Sequence, residues 1–334
     1  MCSSDLLQIP RMKLISAGKP DQNLLDVIAQ NVRVPEQTLG DIWAQVAACK
    51  MLEERLKPLL KEINLDQLGN EIRRRSEAAM KKAIREVPDG VYHGHTQHDG
   101  FEEPIIINAT VTVKGDKLSI DYTGSSAQVP RAVNVVPIYT FAYSAFAVKA
   151  LLCPDVPNNE GSFTPITTSA PLGSIFNPTY PAASGDRGMI GHMMVPAILM
   201  ALADVLPERA IAEGSSNSSI TVTGEHRGRP YAAVNFMNAG QGATQYRDGF
   251  TMLSFPSNLS NTPIEVFEQM APLRVVERAI RRGSGGAGKH KGGDGLRFEV
   301  EVAADTPMMA SMIMTRYKTA PQGIAGGTPG KVGG

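Results

Sequence analysis

At Pro88-Asp89-Gly90 the hydrophobic period of this chain changes, so one repetitive architecture cannot serve both sides of the break. Upstream, apolar residues recur every three to four positions; downstream they alternate. Leu24, Leu25, Val27, Ile28 and Val32 have helical spacing, and Pro35-Glu36 is a good helix start. A second helix is predicted from about Glu36 to Lys57, with Leu39, Ile42, Trp43, Val46, Ala47 and Met51 on one broad face. Pro58 should end or kink it. Asn64 is the predicted N-cap of a third helix reaching Arg85, and its mixed charges read as a solvated face. Past the break, Ile105, Ile107, Ala109, Val111 and Val113 alternate as a half-buried strand does. Lys114-Gly115-Asp116-Lys117 is a turn, and Leu118, Ile120 and Tyr122 return as a second strand.

Pro137 to Leu152 is again helical in pattern. Pro154 to Asp186 holds too many prolines for long elements, though Ile166 and Ile175 suggest short strands. Gly188 to Leu206 reads as a buried helix in which Pro196 makes a kink or marks the true first turn. Ile220–Val222 and Tyr231–Asn235 read as one strand pair, and Val275–Ile280 with Leu296–Val302 as another, around a glycine loop. The last dozen residues read as a loose Gly/Pro-rich tail. The order of elements predicts an α+β fold: a helical segment over 1–87 packed with a mixed, mainly antiparallel β core over 88–320, then a flexible tail over 321–334.

With 33 basic and 33 acidic residues among 334, the formal charge is zero. Nothing in that balance recommends nucleic acid or an anionic membrane as a partner. No run of 18 apolar residues suggests a membrane span, and the first five residues do not read as a secretory signal. Cys2, Cys49 and Cys153 are odd in number and far apart. They predict a reducing, cytoplasmic setting, with Cys49 and Cys153 as buried structural thiols.

Two motifs invite chemistry. Gly283-Ser284-Gly285-Gly286-Ala287-Gly288-Lys289-His290-Lys291-Gly292-Gly293-Asp294-Gly295 nearly spells a phosphate-binding loop. His290 stands where such a loop needs a hydroxyl for Mg²⁺, and a strand-like run follows instead of a helix. The alternatives are a close crossing of backbones, an interface, or an anion site served by Lys289, His290 and Lys291. His93, His95 and His98 lie close in sequence. On a strand His93 and His95 share a side and would bind a divalent metal if His98 or Asp99 curled back; the plainer reading is an exposed strand start.

Read together, other segments are specific. Asn31-Val32-Arg33-Val34-Pro35 and Gly40-Asp41-Ile42-Trp43-Ala44-Gln45-Val46-Ala47-Ala48 lead to Pro88-Asp89-Gly90-Val91-Tyr92. Asp121-Tyr122-Thr123-Gly124-Ser125-Ser126-Ala127-Gln128 with Asn134 follows, then Pro154-Asp155-Val156-Pro157-Asn158-Asn159-Glu160-Gly161. Pro263-Ile264-Glu265-Val266 and Pro272-Leu273-Arg274-Val275 close the series. In order and spacing these resemble the hydantoinase B/oxoprolinase family from about residue 9 to 330.

That resemblance implies a subunit of an ATP-dependent enzyme that hydrolyses cyclic amides such as hydantoin or 5-oxoproline. It implies a hydantoinase-A-type partner that carries ATP and Mg²⁺, and a divalent metal in the intact subunit. Acetone- and acetophenone-type carboxylase alpha subunits are relatives, so a ketone carboxylase is the alternative activity; a non-catalytic scaffold is the alternative of another class. The family's metal segment, similar to "DPYxGGTHxxD", has no counterpart in residues 1–30. The chain is therefore expected to be a truncated form, and its metal ligands stay unknown.

Asp121, Arg187 and His192 are the candidate catalytic residues, and Ser125, Ser126, Gln128 and Asn134 the candidate substrate-binding ones. Asp121 ends a strand, where functional side chains gather, and can orient an amide or a water. The four polar residues can donate and accept hydrogen bonds, or simply hold a turn. Arg187 at a helix start opposes the helix dipole, which predicts an anionic partner: Asp186, a substrate carboxylate or a phosphate. Asn158 and Asn159 read as structural.

Overall fold

The computed structural model describes residues 7, 9–215 and 218–333. Cys2 and the first five residues lie outside the described part. Two short strands, β1 (Ile15–Ser16) and β2 (Lys19–Pro20), precede α1 (Gln22–Asn31), which Asp21 caps through the backbone N–H of Leu24. α2 (Pro35–Glu62) follows, with proline at its first turn. Pro58, expected to end or kink it, does not end it: the helix runs one further turn. None of its side chains is buried, so the hydrogen bond that proline removes is open to water. α3 (Leu65–Arg85) starts where the sequence places it, with Asn64 Oδ1 accepting from Gln67 N at 3.0 Å. Cys49 is exposed on α2 and Cys153 half-buried, which corrects the reading of two buried thiols.

β3 (Gly90–His98), β4 (Ile105–Lys114) and β5 (Lys117–Asp121) form an antiparallel meander, and β6 (Ile166–Ser169) joins β5 in parallel. The alternation read for β4 is the buried face: Ile105, Ile107, Ala109, Val111 and Val113 are all core. α4 (Pro137–Leu152), the one-turn α5 (Glu160–Phe163) and α6 (Arg187–Ala201) complete this half. α6 packs across β3 and β4, so Met193, Met194, Ile198 and Leu199 meet the strand side chains in one cluster. Pro196 sits well inside α6, which excludes it as the first turn.

A second apolar cluster gathers around β7 (Ser218–His226), β8 (Arg229–Met237), α7 (Ile264–Met270), β9 (Leu273–Arg281), β10 (Gly295–Val302) and β11 (Met308–Ile313). β11 pairs with β7, and β7 with β8; β9 pairs with β10 alone. The 88–320 region thus holds two cores rather than one. The α+β class is as expected, with antiparallel pairing dominant. Residues 321–333 differ from the expected loose tail. They lie along the glycine loop, with Thr328 N donating to Ala287 O, Lys331 N to Ser284 O and Gly333 N to Arg316 O. Among the described residues no helix is long and apolar enough to cross a membrane.

Candidate functional site

The segment after β5 collects most of the polar residues singled out by sequence, and it uses them to hold backbone. Ser125 Oγ accepts from Asn108 N at 3.0 Å and Ser126 Oγ from Ile106 N at 2.9 Å, extending the edge of β4 past the end of β5. Gln128 Oε1 accepts from both the N–H and the hydroxyl of Thr179. Asn134 is 1% exposed. Its Oδ1 accepts from Val129 N, and its Nδ2 donates to the carbonyls of Val129, Arg131 and Ala183. Ser125 and Ser126 thus fasten the 122–136 loop to β4, and Gln128 and Asn134 fasten it to the 170–184 segment.

Asp121 accepts from Ser169 Oγ at 2.6 Å and from Thr123 N at 3.0 Å. Partial burial alone would raise its pKa, but these hydrogen bonds outweigh that and hold the carboxyl below its usual range. It is an ionised turn-former, joining β5 to the end of β6. Arg187 is exposed at the start of α6, donating to Ser184 O and lying 5.2 Å from the Tyr139 ring centroid. The aromatic face supplies part of the negative potential that the sequence reading sought in an anion; no ion pair joins Arg187 to Asp186 among the described residues. His192 is buried on α6, edge-on to Tyr143. Asn159 caps α5 and donates to Ser76 Oγ, while Asn158 is exposed.

The histidines divide between two faces. His93 and His95 share the exposed side of β3, bonded to Thr110 Oγ1 and Asn108 Oδ1. His98, five residues from His93, points to the buried side. Burial first, and the nearby Arg316 charge second, push its pKa well below the ordinary histidine value. Among the described residues no three His, Cys, Asp or Glu side chains come together as ligands for a metal ion. The residues here therefore do not fit the divalent metal that the resemblance implies.

A large concavity lies elsewhere, a cleft of about 1130 Å³. Its walls come from residues 203–215, 237–245, 281–299 and 314–333. Three glycine-bearing segments cross at near contact. A Cβ on Gly240 would stand 1.9 Å from Gly293 O, one on Gly242 1.8 Å from Ala212 O, and one on Gly285 1.9 Å from Gly292 O. Only glycine allows such crossings, so the loop makes the close backbone crossing that was one of its expected roles. The loop is closed by Asp294, whose Oδ1 accepts from Ser284 N and Gly285 N. Burial raises the Asp294 pKa, and the loop N–H groups with Lys291 more than reverse this. The contribution to stability is then full above the unfolded value near 3.8 and is lost as pH falls below it. The Tm difference between wild type and Asp294→Asn is accordingly expected to shrink as pH drops below about 4. A gap constant from pH 7 to pH 3 would remove this role for the carboxylate.

Behind the cleft sits a buried ion pair that sequence reading did not single out. Glu213 Oε1 meets Arg316 Nη2, and both side chains are almost wholly buried. Arg316 also donates to Gln97 O at 3.0 Å, while Glu213 Oε2 accepts from Gln322 N at 2.8 Å. Asp99 accepts from the backbone N–H groups of Tyr317, Lys318 and Thr319. The end of β3, the 211–215 segment and the 315–322 segment are thereby bound into one wall. Two more unforeseen residues line the cleft: Asn238 and Gln241, each more than nine-tenths buried. Asn238 Oδ1 and Gln241 Oε1 have no hydrogen-bond partner among the described residues. The tight Gly240-Gln241-Gly242 spacing was the available signal, since glycines flanking a polar residue mark a close backbone approach.

The hydantoinase B/oxoprolinase family model matches residues 3–334 of this chain. The chain belongs to that family. Similar proteins include one from Methanocaldococcus jannaschii, 32% identical over 98% of this chain and 58% of its own length. A Pseudomonas protein described as the putative B component of a D-/L-hydantoinase is 29% identical, over 98% of this chain and 58% of its own length. The family member thus spans a little over half the length of these relatives. Among solved structures, the ATP-dependent caprolactamase of Pseudomonas jessenii is 25% identical with a TM-score of 0.79, covering 89% of this chain and 54% of that one. An acetone carboxylase shares the fold with a TM-score of 0.86 at 18% identity, over 96% of this chain and 46% of that one.

Proposed function

We propose that this chain works as part of a hydantoinase-B-type subunit, cytoplasmic and paired with a hydantoinase-A-type partner, in ATP-dependent opening of a small cyclic amide of the hydantoin or 5-oxoproline kind. The observation that carries the reading is the glycine-walled cleft with two buried, unpartnered side-chain oxygens. A buried acceptor without a donor costs about 1–3 kcal/mol. A cyclic amide offers the matching group, a ring N–H, beside a carbonyl that backbone N–H groups can receive. A cleft of this size accommodates such a molecule with room for a reacting group from a partner.

Nucleotide chemistry is assigned to the partner. The glycine loop here runs into strand β10, so no helix N-terminus faces it, and its N–H groups at 284 and 285 are already taken by Asp294. Activation of the amide oxygen by ATP is then the partner's step. The cleft's own task is to bind and orient the amide and to keep water out until activation.

The test is to purify the chain with a hydantoinase-A-type subunit and follow ADP release and ring opening with hydantoin, 5-oxoproline and caprolactam. ATP-coupled opening of one of them is expected, with Gln241→Leu lowering kcat/KM about ten-fold through loss of one hydrogen bond. A complex that copurifies yet opens none of the three would overturn the reading. Bicarbonate-dependent ATP turnover with a ketone would replace it by a carboxylase.

A further inference from the structure

A second, far smaller cavity of about 10 Å³ lies between the end of β3 and α6, with His98 and His192 in its lining. It shares Gly214 and Arg316 with the cleft. Gly214 is pressed against the cleft's glycine segment: an added Cβ would stand 2.7 Å from Gly240 O and 3.0 Å from Gly242 N. The small cavity therefore backs onto the stretch of the cleft that carries Gln241. Its volume is that of about one water-sized sphere, which leaves no room for a larger molecule.

Its lining is polar where it counts. His98 is 2% exposed. Its Nε2 lies 3.1 Å from Thr96 Oγ1, with Glu213 Oε1 at 3.9 Å beyond. The Met193 backbone lies close to the ring, yet Nδ1 completes no hydrogen bond among the described residues. A buried ring nitrogen left in that way is costly. In either tautomer it can bond a water, as donor or as acceptor. Arg316 is the second polar neighbour. A guanidinium has five N–H donors, and Gln97 O and Glu213 Oε1 take two of them. Two polar partners meet the needs of a buried water.

We infer that this cavity holds one water molecule between His98 Nδ1 and Arg316, and that this water is the one consumed when the ring opens. The second half rests on the function proposed above. Apart from the ATP chemistry, opening a cyclic amide consumes one water. Its hydroxyl ends on the carbonyl carbon, the ring C–N bond breaks, and its other hydrogen ends on the freed nitrogen. A water kept behind Gly214 reaches the carbonyl without opening the cleft to bulk solvent. His98 is then a positioning residue, acting through the water it holds.

The experiment begins with high-resolution crystal structures of the wild type, His98→Leu and His98→Asn, with circular dichroism to verify the fold. Asparagine keeps a polar atom near the place of Nδ1. A density peak roughly 2.7–3.2 Å from Nδ1 is expected in the wild type, lost in His98→Leu and kept in His98→Asn. In complex with a hydantoinase-A-type subunit, His98→Leu should lower kcat for ring opening about ten-fold with KM little changed, and His98→Asn should restore most of it. A wild-type cavity without the peak overturns the inference, whatever the variants do. So does a peak joined to full kcat in His98→Leu, since the water then takes no part in the reaction. If no chain turns over, the proposed function fails, and the density alone upholds or overturns the water site.

Discussion

Replacing Glu213 with alanine is expected to cost about 3–5 kcal/mol of folding stability, because it leaves the Arg316 guanidinium buried without its counter-charge. Among the described residues Arg316 would keep only its bond to Gln97 O, and Gln322 N would lose its Glu213 acceptor. The loss should show in urea unfolding as a large drop in midpoint with little change in slope. It should be partly recovered in the double variant Glu213→Ala/Arg316→Met, since an apolar replacement removes the stranded charge rather than solvating it. A single-variant loss below about 1 kcal/mol would mean that water reaches the pair and that the wall behind the cleft is held by other contacts.

The second large effect is expected at Gly94. β3 crosses α6 so closely there that an added Cβ would stand 1.8 Å from Ala197 O and 3.0 Å from Ala201 N. Those atoms are backbone and cannot swing aside, so helix and sheet must part. Gly94→Ala should cost about 3 kcal/mol, at the upper end of overpacking, and lower the Tm by several degrees. Gly69 in α3 is the control. Nothing lies within 4 Å of its added Cβ, and alanine there should stabilise by up to about 1 kcal/mol through helix propensity. Similar behaviour of the two variants would show that the β3–α6 contact yields easily.

How legible the molecule was depends on what each element rests on. The β4–β5 hairpin was readable because Ile105, Ile107, Ala109, Val111 and Val113 are buried by strand parity alone, a local property. The start of α3 was readable because a cap is a three-residue event between Asn64 and Gln67. β11 was not, since Met308, Met309, Ala310, Ser311 and Met312 carry little β-propensity and the strand is held by register with β7. The site followed the same rule. Polar residues near Asp121 drew notice because they cluster in sequence, yet their bonds serve the loop itself. Glu213 and Arg316 drew none: they are 103 residues apart, single charges in ordinary surroundings, and only the fold brings them together. The histidines show both sides of this, since parity correctly pairs His93 with His95 while the same parity sends His98 to the opposite face.

The interlocking of residues 321–333 with the glycine loop has a temporal consequence. Thr328 and Lys331 supply backbone bonds to Ala287 and Ser284, so one side of the cleft is made of residues that leave the ribosome after both apolar cores. A nascent or nicked chain that stops short of residue 321 has both of those cores encoded but a cavity open on one flank. The wall of the cleft is therefore completed later in synthesis than either core. A tag fused just after residue 333, being anchored at the rim, bears directly on that late closure.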